Sequence, residues 1–129
     1  MDGKIMDWSK YPNFNKAEFD CKHSGKNDMK PEFMSKLQAL RAEYGKPMRI
    51  SSGYRDVTHP IEKVKAAPGE HTLGMACDVA VEGADAYRII QLGIKHGFTR
   101  IGVQQKGTGR FIHLGLAAGR FPAPMVWSY

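Results

Sequence analysis

Between Lys30 and Tyr44 the apolar residues Phe33, Leu37, Leu40 and Tyr44 recur at steps of three and four, with charged residues between them. This is the period of a helix that lays one face on a core. Asp28 offers an N-cap, Pro31 suits the first turn, and Gly45 followed by Pro47 supplies the stop. A second helix is predicted from about Ala84 to His96, with Tyr87, Ile90 and Ile94 on one stripe and Gly97 as its end. His96 in its last turn is favoured by the helix dipole. Short apolar runs at Met48–Ser51, Cys77–Val81, Arg100–Gln105 and Arg110–Leu116 read as strands. Lys106–Gly109 reads as a hairpin turn, and it lacks the strand-to-helix setting that a phosphate-binding loop requires. Phe14 to Phe19 reads as a short helical turn carrying aromatics onto the core, and the tail with Pro122, Pro124, Trp127 and Tyr129 as an irregular strap.

Alternation along the strands sorts the polar residues from the core. In the last strand Phe111, His113 and Gly115 point one way while Ile112, Leu114 and Leu116 point the other. Likewise Cys77, Val79 and Val81 share one face, and Asp78 with Ala80 takes the opposite one. If the two strands are neighbours, Asp78 and His113 aim at a common point, with His71 delivered from the glycine-containing loop before them. Imidazole nitrogen and carboxylate oxygen are good zinc ligands, and a catalytic zinc takes three protein ligands and keeps a fourth position open. On the residues alone, a hydrogen-bonded core histidine and a capping aspartate fit the same pattern.

Composition changes this picture little. Hydrophobic residues make up 42% and charged residues 25%, ordinary values for a globular chain, and 129 residues suffice for one domain with its own core. Nineteen Lys and Arg against thirteen Asp and Glu leave a formal charge of +6, suited to an anionic surface such as a cell wall and equally to simple solubility. No recognition helix or basic run supports a specific nucleic-acid partner. The N-terminus has no apolar signal region and no run approaches a membrane span, so the expectation is a soluble chain made in the cytoplasm, without membrane insertion. Two cysteines, Cys21 and Cys77, are too few for a disulfide framework; Cys77 reads as a small core residue, and a bridge between them is left open.

The motifs Ser51-Ser-Gly-Tyr-Arg55, Gly69-Glu-His-Thr-Leu-Gly-Met-Ala-Cys-Asp78 and Phe111-Ile-His113, in this order, resemble the signature of the zinc D-alanyl-D-alanine carboxypeptidase family, which shares its fold with the hedgehog signalling domain and includes many phage and bacterial cell-wall peptidases. The resemblance runs over about residues 14 to 129, leaving 1–13 as an N-terminal extension of a single domain. It implies one Zn²⁺ held by His71, Asp78 and His113, and Arg55 as the group that holds a substrate carboxylate or the polarised carbonyl oxygen. The implied fold, with the elements above, is α+β: a small, mostly antiparallel sheet with helices on one side. The implied substrate is the peptidoglycan stem peptide, cut next to D-alanine or between L-alanine and D-glutamate, by a monomer of the phage endolysin type that acts on the bacterial cell wall after release.

One position departs from the family pattern. Related sequences usually read His-x-Asp where this chain has His113-Leu-Gly115, and positions 107 to 110 offer no replacement acid. His59 and Glu70 are then the candidates for proton transfer, with Glu62 and Glu82 as further acids in reach. The rival reading is a catalytically weak or inactive zinc-containing cell-wall-binding module, for which Gly115 is the distinguishing feature.

Overall fold

The computed structural model describes residues 6–129. These fold into a five-stranded sheet of order β1-β2-β4-β3-β5, with β1 Ile50–Ser52, β2 Ala76–Val79, β3 Arg100–Gln104, β4 Phe111–Gly115 and β5 Met125–Ser128. All neighbours are antiparallel except β5, which runs parallel to β3. The helices are α1 Pro31–Tyr44, the single-turn α2 Pro60–Lys63, and α3 Gly83–Lys95. The architecture is the α+β arrangement that the chain's periodicity and motifs suggest.

One face of the sheet builds the core. Cys77, Val79, Ile101, Ile112 and Leu114 lie in one apolar cluster with Phe33, Leu37 and Leu40 of α1 and Ile89 and Leu92 of α3. Phe33 and Phe98 meet edge to face with ring centroids 5.4 Å apart, joining α1 to the end of α3. Phe14 and Phe19 are buried as expected, their rings 5.4 Å apart, around the turn Lys16–Phe19. Both cysteines are buried free thiols.

Three local expectations are corrected. Lys30, not Asp28, occupies the N-cap of α1, and the Asp28 carboxylate instead pairs with Lys30 Nζ at 2.7 Å. The backbone of this segment is laid against the loop that follows His71: Lys30 N–H donates to the Gly74 carbonyl at 3.1 Å, which leaves Asp28 outside capping position. On α3 the buried face is Ala86, Ile89, Leu92 and Gly93, while Tyr87 and Ile94 are 67% and 66% exposed. Close approach explains the choice of small residues, since a Cβ at Gly93 would come within 2.8 Å of Leu114 Cδ2. The tail is not an irregular strap but strand β5, begun by Met125 N–H donating to the Thr99 carbonyl at 2.8 Å, with Ile101 opposite Val126 and Gly102 opposite Trp127.

The other face of the sheet carries a row of aligned residues. Asp78 on β2 faces His113 on β4, which faces Gly102 on β3, which faces Trp127 on β5. In the adjacent row Gly115 on β4 faces Arg100 on β3. The register therefore places the chemistry on the side of the sheet away from the apolar cluster.

Candidate metal centre

His71 lies on the turn Glu70–Leu73, which Gly74 ends with φ of 70°, a left-handed conformation open to glycine. Its Nδ1 faces the Gly53 carbonyl at 2.8 Å. That bond fixes the ring's proton on Nδ1 and leaves Nε2 as a lone-pair donor. Gly53 is itself pressed on the Phe19 backbone, where a Cβ would come within 2.6 Å of Phe19 Cα, so the carbonyl that holds His71 is anchored in the core.

Across from it, His71 Nε2 stands 3.5 Å from Asp78 Oδ1, and His113 Nδ1 stands 2.9 Å from the same oxygen. One ligand atom from each of the three residues falls within 4.8 Å of the other two. All three are buried, at 5%, 5% and 2% exposure. Two nitrogens and one oxygen, converging and shielded, with the far nitrogen of His71 held by a carbonyl, fit the donor set of a zinc site. Burial by itself would raise the Asp78 pKa, but the His113 and His71 rings beside it outweigh burial and hold the carboxyl well below its usual range. Burial opposes the charged form of His113, yet Asp78 and Glu70 beside it push its pKa up.

Two carboxylates brace this cluster. Glu70 is 6% exposed, with Oε1 2.7 Å from His113 Nε2 and Oε2 accepting from Arg100 Nε at 3.0 Å. The contact with His113 is ionic, off the direction of an aligned hydrogen bond. Burial would raise the Glu70 pKa, and His113 with Arg100 more than reverse this. The Arg100 guanidinium lies 4.9 Å above the Trp127 ring and 5.2 Å from the Phe121 ring, and also donates to the Pro122 carbonyl. Glu62, with a side chain of 0% exposure, accepts from Gly69 N at 2.7 Å, Arg55 Nη1 at 3.0 Å and Lys65 Nζ at 3.1 Å. Arg55 in turn places Nη2 3.8 Å from Asp78 Oδ2.

The structure thus gathers His71, Asp78, His113, Glu70 and Arg55 into one constellation. His59 has its contacts outside this constellation: it caps α2, with Nδ1 accepting from Ile61 N–H at 3.1 Å, and its ring lies 6.0 Å from that of His23. Burial, and then Arg55, lower its pKa. Glu82 is turned to Arg110, 3.6 Å away. Sequence reasoning missed Arg100 and Trp127, whose ring centroid is 5.1 Å from that of His113. The available signal for Arg100 was its place two residues before Gly102 on a strand paired with β4.

A buried three-donor centre on a small α+β sheet defines the class, and comparison with known proteins narrows it. A family model described as Peptidase M15 matches residues 12–115, most of the chain, so the chain belongs to the peptidase M15 family. It is similar to the zinc D-Ala-D-Ala carboxypeptidase of Streptomyces albus G, 33% identical over 90 residues, 68% of this chain and 35% of that protein. The chain therefore spans about a third of the length of this curated relative. Among the described residues no helix is long and apolar enough to cross a membrane.

Proposed function

We propose that this domain is a zinc peptidase that hydrolyses a peptide bond in peptidoglycan stem peptides. The observation that carries the reading is the convergence of His71, Asp78 and His113, buried within 4.8 Å of one another, in a chain of the M15 family. These three would hold the metal. When bound there, zinc supplies Lewis acidity toward a carbonyl oxygen and lowers the pKa of water.

The remaining chemistry belongs to the chain's own side chains. Arg55, always protonated, has Nη1 bound by Glu62 and Nη2 beside Asp78, so the guanidinium is fixed at the edge of the cluster. Held there, it can bind a substrate carboxylate or a carbonyl oxygen that gains charge. For proton transfer, Glu70 and His59 are the two groups in play. Both Glu70 oxygens are engaged, whereas the half-buried His59 keeps Nε2 free of its capping bond and has a lowered pKa that leaves it neutral near pH 7.

The similarity to a D-Ala-D-Ala carboxypeptidase supports a bond beside D-alanine, and the resemblance of the motifs to cell-wall peptidases adds the bond between L-alanine and D-glutamate as the alternative. The resemblance to phage cell-wall peptidases extends the proposal to an endolysin-type monomer acting on the cell wall. A second reading, a zinc-containing cell-wall-binding module with little turnover, is favoured by Gly115 together with the engagement of both Glu70 oxygens. Removing a general base typically slows a hydrolase about 100- to 10,000-fold, which separates the two readings.

The test is metal content alongside hydrolysis. The purified chain should hold one zinc and release fragments from stem peptides, and His113→Ala should lose both. Undiminished activity in His113→Ala would overturn the metal assignment.

A further inference from the structure

Gly115 leaves a place on the sheet that is already filled. A Cβ built on Gly115 would overlap Glu70 Oε2 and would stand 3.2 Å from both Glu70 Cδ and His113 Nε2. Residues 113 and 115 point to the same face of β4, so a side chain at 115 would be directed at the outer nitrogen of His113. In this chain the carboxylate that reaches that nitrogen comes from Glu70, on the turn before β2, at 2.7 Å.

We propose that Glu70 is the positioning carboxylate of His113, occupying the space a side chain at 115 would take, and that Arg100 holds it there. The proposal rests on the reading of His71, Asp78 and His113 as the metal centre. Glu70 reaches the outer nitrogen of His113 as an ionic contact rather than an aligned hydrogen bond, so its charge holds the ring with Nε2 toward Glu70 and Nδ1 toward the other donors. Here the outer nitrogen is Nε2, and Nδ1 is the one that faces Asp78 at 2.9 Å. Arg100 is suited to the clamp. It is 6% exposed, gives Nε to Glu70 Oε2 at 3.0 Å, and its planar group is confined between Trp127 and Phe121 while a further N–H donates to the Pro122 carbonyl. Arg100 also lies opposite Gly115 on the neighbouring strand, so the clamp is next to the vacancy that Glu70 fills.

Positions 70, 100 and 115 therefore form a coupled set in which only one carboxylate fits. An aspartate added at 115 while Glu70 is present would place two carboxylates in one volume, and an aspartate added after Glu70 is shortened would take over its task. Gly115→Asp alone therefore crowds a carboxylate already in place rather than supplying one.

The experiment is zinc affinity by chelator competition on the full chain, with the ¹⁵N signals of His113 recorded on the same samples. Wild type, Glu70→Gln, Glu70→Ala, Gly115→Asp and the double variant Glu70→Ala/Gly115→Asp are compared. Each single variant is expected to weaken zinc binding about 10- to 100-fold, and the double variant to recover most of the loss. With zinc bound, His113 should keep Nε2–H in every variant, and the signals of that N–H should shift in Glu70→Ala and Glu70→Gln and return toward their wild-type positions in the double variant, a change that an ion pair not in contact with this nitrogen would not produce. The isosteric Glu70→Gln keeps the volume and so separates loss of charge from loss of packing. Wild-type affinity in both Glu70 variants, or a double variant no better than Glu70→Ala, would overturn the positioning role. Failure of the wild-type chain to hold zinc would overturn the metal reading itself, and this proposal with it.

Discussion

Glu62 is the sharpest place to perturb the chain without touching the three donors. Its carboxylate is enclosed, with a side-chain exposure of 0%, and receives donors from Gly69, Arg55 and Lys65. Glu62→Gln keeps the shape but removes the charge. The amide oxygen can still accept from Gly69 N–H, so that bond survives. The Lys65 contact contributes little, because its side chain is 40% exposed and water can replace the partner. The cost lies with Arg55, whose side chain is 16% exposed and would lose a buried counter-charge. Breaking one partner of such a pair costs about 3 kcal/mol, a large share of the stability of a domain this size. The melting temperature should fall by about 10 °C.

The effect should also depend on pH. Burial would raise the pKa of Glu62, but the Gly69 N–H, Arg55 and Lys65 more than offset this and hold it below its ordinary value of 4.5. A carboxylate whose folded pKa is depressed binds fewer protons folded than unfolded near that value. Its contribution is therefore present above about pH 4.5 and lost as pH falls through the lowered value. Urea unfolding at pH 7 and at pH 3 reads this directly. The gap between wild type and Glu62→Gln should be about 3 kcal/mol at pH 7 and should narrow on acidification. A gap below about 0.5 kcal/mol at pH 7, or one of the same size at both pH values, would refute the assignment of a buried charged clamp.

Two further substitutions examine the site and its support. Arg55→Ala should keep zinc content unchanged while lowering kcat/KM at least about tenfold, since it removes a charge-assisted grip on substrate or on a developing oxyanion; unchanged kinetics would remove Arg55 from the site. Gly74→Ala should cost about 3 kcal/mol or more, because φ there is +70° and an added Cβ would fall on the Asp28 carbonyl, so native-like melting would contradict the packing of the turn that carries His71.

Much of the fold was legible because local signals and tertiary demands coincide. In α1, Pro31 and Gly45 mark ends that the structure uses, with Gly45 at φ of 76° as the C-cap. The convergence of Asp78 and His113 was readable from alternation alone, since β2 and β4 are neighbours in register. The stripe of α3 was misread because apolar size pointed to Tyr87 and Ile94, whereas contact with Leu114 and Ile101 demands the small residue Gly93. Strand β5 was hidden behind Pro122 and Pro124, which break the pattern before it, and its pairing with β3 is a non-local choice. The fit of Glu70 into the space beside Gly115 was not legible at all. It joins a turn, a strand end and Arg100 across thirty residues of chain, and no spacing rule reports that.

The most direct test of the zinc peptidase reading is mass spectrometry of fragments released from purified peptidoglycan, with the zinc-loaded chain and with a chelated control. New amino termini that appear only with metal, next to D-alanine or between L-alanine and D-glutamate, are the predicted result. No fragment release by chain shown to hold one zinc would contradict it and favour the cell-wall-binding module.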